Sequence, residues 1–265
     1  MTANTAAPAL PGGRYGMRQA CRAERAKLFS IRSTWWTLFV TVVGTLVVTV
    51  LSTSSAAHHP RGWYQGFDPT NQSMSGLAIG ALAIGVLGAL VFTSEYGSGT
   101  IRSSMTATPR RLSFLLAKLL VVGVLALAVG EMLTFSCFAL GHAILGSSPL
   151  PAWNLTDPGV LRAVVGSGVT IGLLGLMGAA IGAAVRRTAG AIGIYAAFLF
   201  LLPLLLTKMP GNLARFTPLI IIANSIAAVV RQGAFVSPLV GFVLLACYTV
   251  AIILLGAAVV TRRDP

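Results

Sequence analysis

Six long apolar stretches constrain this chain more than any other feature. They are Trp35 to Leu51, Met74 to Thr93, Leu119 to Leu140, Val164 to Val185, Ala189 to Leu206 and Leu239 to Val260. Each is close to the roughly 20 residues that a helix needs to cross the hydrocarbon core of a bilayer. A chain that is 55% hydrophobic and 9% charged has too much apolar surface for one water-soluble core. We therefore predict an all-α integral membrane protein, with one six-span transmembrane domain over residues 17–265.

The basic residues are unequally divided between the two ends of these spans. Fourteen stand on the side of the N-terminus, before span 1, between spans 2 and 3, between spans 4 and 5, and after span 6. Five stand on the other side: Arg61, Arg162, Lys208, Arg215 and Arg231. The positive-inside rule then predicts a multi-pass protein of the cytoplasmic (inner) membrane with both termini in the cytoplasm. The net charge of +13 is explained by topology and does not indicate a nucleic-acid partner.

The chain before span 1 divides into two parts. Residues 1–16 lack the apolar region of a secretory signal and are expected to form a disordered cytoplasmic tail. Residues 17–33 alternate arginines with apolar side chains, which predicts an amphipathic helix on the inner membrane surface. An ordinary solvated charge run that orients span 1 is the alternative. Trp35 and Trp36 are typical interface anchors under either interpretation.

A shorter apolar stretch, Pro218 to Val230, precedes span 6. As a helix it would cover only about 20 Å of a roughly 30 Å core, so it is too short to span. We expect a short re-entrant or interfacial helix on the outer face between spans 5 and 6. Asn224 in its middle favours burial in protein over exposure to lipid.

Spans 2 and 4 carry glycines at four-residue spacing, which lets helix backbones approach closely. We expect packing contacts, within the chain or to a second copy, at Gly76, Gly80, Gly168, Gly172, Gly178 and Gly182.

The segment between spans 2 and 3 is polar and longer than two packed helices need. Glu95 is expected where span 2 leaves the membrane, close to the start of the next short helix, and Gly97 and Gly99 permit a change of direction. Ser98 could cap a short helix over residues 99–107 that Pro109 would stop. Arg110, Arg111 and Lys118 would then hold the return at the lipid headgroups, and Thr100, Ile101, Ser104 and Met105 would face a soluble partner. A plain surface loop is the alternative.

This segment, SEYGSGTIRSSMTATPRR, resembles the intracellular loop of permease subunits of type 2 ATP-binding-cassette (ABC) exporters. The basic helix ending in SIRSTWW, the terminal TRRDP and the six-span layout are similar to the same family, most of all to its actinobacterial-style members. The resemblance implies an export permease whose loop docks on a cytoplasmic ABC ATPase as a coupling helix. The residues concerned are Glu95, Tyr96, Gly97, Gly99, Thr100, Ile101, Arg102, Met105, Pro109, Arg110 and Arg111.

No G-x-x-x-x-G-K-[ST] run occurs in the chain, so the ATPase is expected to be a separate protein that holds ATP and Mg²⁺. No cofactor is expected in this chain, and a second permease, identical or related, would complete the complex.

Catalytic and metal-binding patterns are scarce. The three cysteines are scattered, and His58 and His59 lie in a loop without a helical ligand spacing, so we predict no catalytic or metal site. Glu131 is the exception, because a carboxylate deep inside span 3 is a candidate for a translocation path. A protonated Glu131 hydrogen-bonded between helices, with Thr134 or Ser136 nearby, is equally open. An ion-coupled secondary transporter and a non-transport membrane assembly protein are the rival functions.

Overall fold

The computed structural model describes residues 16–58, 67–100, 111–148, 150–209, 213–229 and 236–262. Its helices are α1 (Met17–Ser30), α2 (Arg32–Ala57), α3 (Pro69–Ser73), α4 (Leu77–Ser98), α5 (Arg111–Gly146) and α6 (Val160–Val185). They are followed by α7 (Thr188–Ala196), a π-helical turn (Ala197–Leu201), α8 (Leu202–Leu206), a 3₁₀ turn (Leu213–Phe216), α9 (Pro218–Ser225) and α10 (Pro238–Arg262).

The prediction of six spans is confirmed. Among the described residues, six helices are long and apolar enough to cross a membrane: α2, α4, α5, α6, the continuous α7–α8 unit and α10. We call the two ends of this bundle the α1 end and the α9 end. Helix α4 stops and α5 starts at the α1 end, next to α1, whereas α3 and α9 lie at the α9 end. The short helix α9 stands where the short apolar stretch predicted one, but it ends at Ser225, five residues before the predicted end.

Helix α6 forms the centre of the bundle. In its most apolar window 72% of the residues are buried, against 22% in α2, α7–α8 and α10. Its most extensive contacts are with α4, α5 and α10. The glycines expected at helix contacts all lie at such contacts: Gly76 and Gly80 face α2, Gly168 and Gly172 face α5, and Gly178 and Gly182 face the backbone of α4.

The buried face of α2 is made of threonines. Thr41, Thr45, Thr49 and Thr53 recur every four residues and are fully buried, whereas the exposed positions between and beside them carry Val43, Val47 and Val50. Such a helix reverses the pattern of a soluble protein, because lipid accepts the apolar face and the bundle interior takes the polar one. The Thr49 hydroxyl lies 3.3 Å from the Cys137 sulfur of α5. Hydropathy alone does not distinguish this face.

Both boundaries of the segment between spans 2 and 3 differ from the prediction. Helix α4 starts at Leu77, after a turn at residues 74–76, and continues to Ser98. Helix α5 starts at Arg111, eight residues before the predicted Leu119. An unpaired charge at such a position usually marks the point where a helix leaves the bilayer. In the structure, Glu95 and Lys118 neutralise each other, so neither charge ends its helix.

At the α9 end, Asp68 joins α3 to the chain that follows α9. Its Oδ1 accepts hydrogen bonds from the amides of Thr70 (2.9 Å) and Asn71 (3.0 Å), and so caps α3. Its Oδ2 accepts one from the amide of Val229 (3.1 Å). Asn224 is buried and donates to the Val236 carbonyl, in keeping with the expected burial in protein.

Candidate functional site

The main candidate site is assembled by α1. This helix packs its Ala20, Glu24 and Leu28 face against the bundle, chiefly on α5. Glu24 and Lys27 thereby reach the last turn of α4 and the second turn of α5. The site lies at the α1 end, next to the segment that the family resemblance assigns to ATPase coupling.

Four charged side chains, Glu24, Lys27, Glu95 and Lys118, form what we term the ion cluster. Lys118 Nζ lies 2.8 Å from Glu95 Oε1 and 3.2 Å from Glu24 Oε2. Lys27 Nζ lies 3.0 Å from Glu24 Oε1 and 3.3 Å from Glu95 Oε1. Two carboxylates and two ammonium groups balance in charge, so α1, α4 and α5 are joined without a net buried charge.

Burial makes these contacts stronger than surface ion pairs. The side chain of Lys118 is 2% exposed, those of Glu24 and Glu95 are 8% and 12% exposed, and that of Lys27 is 42% exposed. Lys118 also donates to the Val91 carbonyl at 3.1 Å and lies 5.2 Å from the centre of the Phe92 ring. A buried ammonium group needs such partners, because an unpaired charge in this position is costly.

Lys27 lies at the open side of the cluster. Burial by itself would lower the pKa of Lys27, but the hydrogen bond and charge of Glu24, together with Glu95, outweigh it and raise the pKa above the ordinary value. Lys27 therefore stays charged across the physiological pH range.

Three expectations from the sequence need correction. Lys118 does not lie at the lipid headgroups, because its ammonium group is buried between the two glutamates. Glu95 does not stand near the start of a new helix but in the last turn of α4. Ser98 turns its hydroxyl back to the Ser94 carbonyl at 2.8 Å, as expected of a residue at a helix C-terminus rather than an N-cap.

The other described residues of the segment surround the end of α4. Tyr96 packs its ring 5.2 Å from the guanidinium of Arg186, which also donates to the Val259 carbonyl of α10 at 3.2 Å. Gly97 is still helical, so only Gly99, with φ of 71°, makes the change of direction that was expected of both. Thr100 is exposed.

Much of the predicted coupling helix lies outside the described residues. This holds for Ile101, Arg102, Met105, Pro109 and Arg110, and for the side chain of Arg111. Their assignment to a coupling helix stays a prediction.

Glu131, the second candidate, lies in the middle of α5 and is partly exposed. Its carboxyl group packs against Gly168 of α6, where a Cβ atom would come within 2.5 Å of the carboxyl carbon. Thr134 donates to the main-chain carbonyl of Glu131 at 3.0 Å, not to its carboxylate. Glu131 and Lys118, the ion-cluster residue of α5, therefore lie at different depths of that helix.

Glu24 and Lys27 were missed by the sequence analysis. A periodic signal existed, since Glu24 shares a helix face with Ala20 and Leu28, and a carboxylate on an apolar face calls for a buried partner. The partner itself could not be named, because Lys118 is distant in sequence.

Comparison with known proteins agrees with this architecture. No curated protein matches the chain. The family described as "ABC-2 family transporter protein" matches residues 21–202, which include most of α1, the ion cluster, the first four spans and most of the fifth. The chain therefore belongs to the ABC-2 transporter family and is a multi-pass membrane permease of the ABC type.

Proposed function

We propose that this permease exports a substrate across the cytoplasmic membrane, driven by ATP that a separate cytoplasmic ABC ATPase hydrolyses. The segment from Glu95 to Arg111 docks on that ATPase, and the ion cluster passes the movement of the segment to the membrane helices. A second permease, identical or related, completes the complex. Both termini, α1 and the coupling segment lie in the cytoplasm.

The ion cluster is the observation that carries this proposal. A soluble partner can move membrane helices only through rigid contacts, and a flexible loop would absorb the stroke. Here the last turn of α4 and the start of α5, on either side of the segment, are joined to each other and to α1 by buried charges. A push on the segment would therefore displace three helices together.

Contacts at Tyr96 also join the end of α4 to helices α6 and α10. Arg186 follows the C-terminus of α6 with φ of 63° and contacts both Tyr96 of α4 and the Val259 carbonyl of α10. The end of α4 is thus bound to α6 and α10 as well as to α1 and α5. These contacts support a role for the α4 terminus as the point where force enters the bundle.

The test compares two substitutions of an apolar residue by aspartate. Ile101→Asp lies in the proposed docking segment, whereas Leu155→Asp lies in an exposed loop at the α9 end and serves as the matched control. With membrane expression equalised, Ile101→Asp should lose ATPase pull-down and efflux, because an unpaired charge would enter a contact that the partner buries. Leu155→Asp should retain both.

Full ATPase binding and efflux in Ile101→Asp would overturn the coupling assignment. Efflux that continues without any ATPase and stops when the proton gradient is dissipated would overturn the exporter proposal, in favour of ion-coupled transport. Glu95→Ala is a less selective test than Ile101→Asp, because Glu95 also holds the buried Lys118.

A further inference from the structure

The outward face of α1 carries three arginines that the ion cluster does not use. Arg18, Arg22 and Arg25 are exposed and stand on one side of the helix, beside the buried face formed by Ala20, Glu24 and Leu28. Within the described ranges, no carboxylate pairs with any of the three. The one acidic residue of α1, Glu24, is held by the two lysines of the ion cluster.

These arginines line an apolar groove on α5. The groove has a volume of about 380 Å³ and is bounded by the arginines and Phe29 on one side, and on the other by Leu120, Val121, Val124, Leu125 and Ala128. From Leu120 to Ala128 the helix rises about 12 Å. This is close to one leaflet of a bilayer whose core is roughly 30 Å thick. The groove thus has a strong positive charge at one end. Below that charge, its apolar wall extends over about the thickness of one leaflet.

A second apolar groove runs along the other side of the same ridge. It has a volume of about 610 Å³ and lies between Leu116, Leu127 and their neighbours on α5 and the α6 side chains Val169 and Leu173. Leu120 and Val124 line both grooves and are 54% and 62% exposed, so they form the ridge that separates them. Met17 of α1 lies at the second groove, next in sequence to Arg18 of the first.

From this arrangement we infer that the α1 end holds one anionic phospholipid, with its phosphate on the three arginines and an acyl chain in each groove. Arginine suits this task because its planar donors bind phosphate oxygens in pairs. The two grooves meet at one ridge and share one basic end, which matches the two chains and one phosphate of a phospholipid. A soluble anion would use only the charge, and a neutral lipid would use only the grooves.

The lipid site differs from general attraction of a basic helix to an anionic surface, because it requires the grooves. Its leaflet is the cytoplasmic one under the proposed topology, but binding itself does not depend on the ATPase or on transport. The lipid-site proposal can therefore be refuted while the proposed function holds, and the proposed function can be refuted while the lipid site holds.

The test measures lipid preference of the complete chain in nanodiscs that contain phosphatidylglycerol and phosphatidylcholine. Lipid retained after transfer to detergent is counted by native mass spectrometry. Wild-type protein should retain one phosphatidylglycerol, and the triple variant Arg18→Gln/Arg22→Gln/Arg25→Gln should lose this retention, because each arginine removed weakens it about fivefold. A control variant with the same charge change elsewhere, Arg32→Gln/Arg187→Gln/Lys208→Gln, should keep the wild-type preference.

A second pair of variants tests the groove without altering charge. Ala128→Trp would fill the first groove, whereas Ala139→Trp adds the same bulk to another exposed position of α5 that lines neither groove. Only Ala128→Trp should lose retained phosphatidylglycerol. Unchanged retention in Ala128→Trp, or equal losses in both charge variants, would overturn the site. Displacement of the lipid by millimolar glycerol 3-phosphate would likewise overturn it, by showing a soluble-anion site.

Discussion

Glu95 Oε1 and Lys118 Nζ lie 2.8 Å apart, which joins the last turn of α4 to α5 across the segment that connects them. Both side chains are largely buried, and each also forms an ion pair with α1: Glu95 with Lys27, and Lys118 with Glu24. The contact makes the base of the proposed coupling segment a fixed part of the bundle. It also means that these residues contribute to folding as well as to the proposed coupling.

Removal of the Lys118 charge should strongly destabilise the protein. Lys118→Met would leave Glu24 and Glu95 facing each other with only Lys27 between them, and the loss of one partner of a buried ion pair costs about 3–5 kcal/mol. Thermal unfolding of the purified chain in detergent measures the effect. Lys208→Met, at an exposed position, should unfold at the wild-type temperature.

The Glu95–Lys118 contact can be isolated by a double-mutant cycle. Glu95→Gln combined with Lys118→Met should cost less than the sum of the single variants, with an interaction energy of about 0.5–3 kcal/mol. Strict additivity would show that the two side chains stabilise the protein independently, against the geometry of the pair.

The glycines of α6 should respond differently to alanine. In Gly178→Ala the new Cβ would meet the main-chain oxygen of Gly85 in α4, and the helices would have to separate at a cost of about 1–3 kcal/mol. In Gly168→Ala it would meet the flexible carboxyl end of Glu131, which can turn aside. Gly166→Ala, with open space, is the matched control. The prediction fails if Gly178→Ala and Gly166→Ala show equal unfolding temperatures.

Asp68 should stabilise the α9 end through its three accepted hydrogen bonds. Asp68→Ala leaves the amides of Thr70 and Val229 without this acceptor, which should cost about 1–3 kcal/mol. Asp68→Asn keeps one acceptor oxygen and should lie between alanine and wild type. Unfolding of Asp68→Ala at the wild-type temperature would show that the α9 end is held together by other contacts.

The proposed topology predicts opposite labelling of two exposed positions. In a cysteine-free background, Asn154→Cys should react with a membrane-impermeant maleimide in intact cells. Ser98→Cys, at the α1 end, should react only after the membrane is opened. The reverse pattern would invert the protein and remove the basis for placing the coupling segment in the cytoplasm.

The purified chain alone should neither bind nor hydrolyse ATP, because its sequence contains no phosphate-binding loop. Equilibrium binding with a fluorescent ATP analogue measures this directly. Saturable binding that unlabelled ATP displaces would contradict the assignment of hydrolysis to a separate chain.

The number of spans, their approximate positions and the short helix before span 6 followed from the sequence alone. Each depends on the local run of apolar residues, and a helix that crosses lipid must be apolar whatever surrounds it. The most specific part of the family resemblance was also local, because it is one contiguous segment, residues 94–111.

The tertiary structure decided which neighbour covers each helix face. A lysine beside an apolar run indicates a headgroup contact unless a buried carboxylate reaches it, and Lys118 meets two that come from α1 and α4. The threonine face of α2 and the grooves beside α5 were equally hidden. Hydropathy reports how readily a residue leaves water, but a buried charge or hydroxyl is stable only when distant parts of the chain supply its partners.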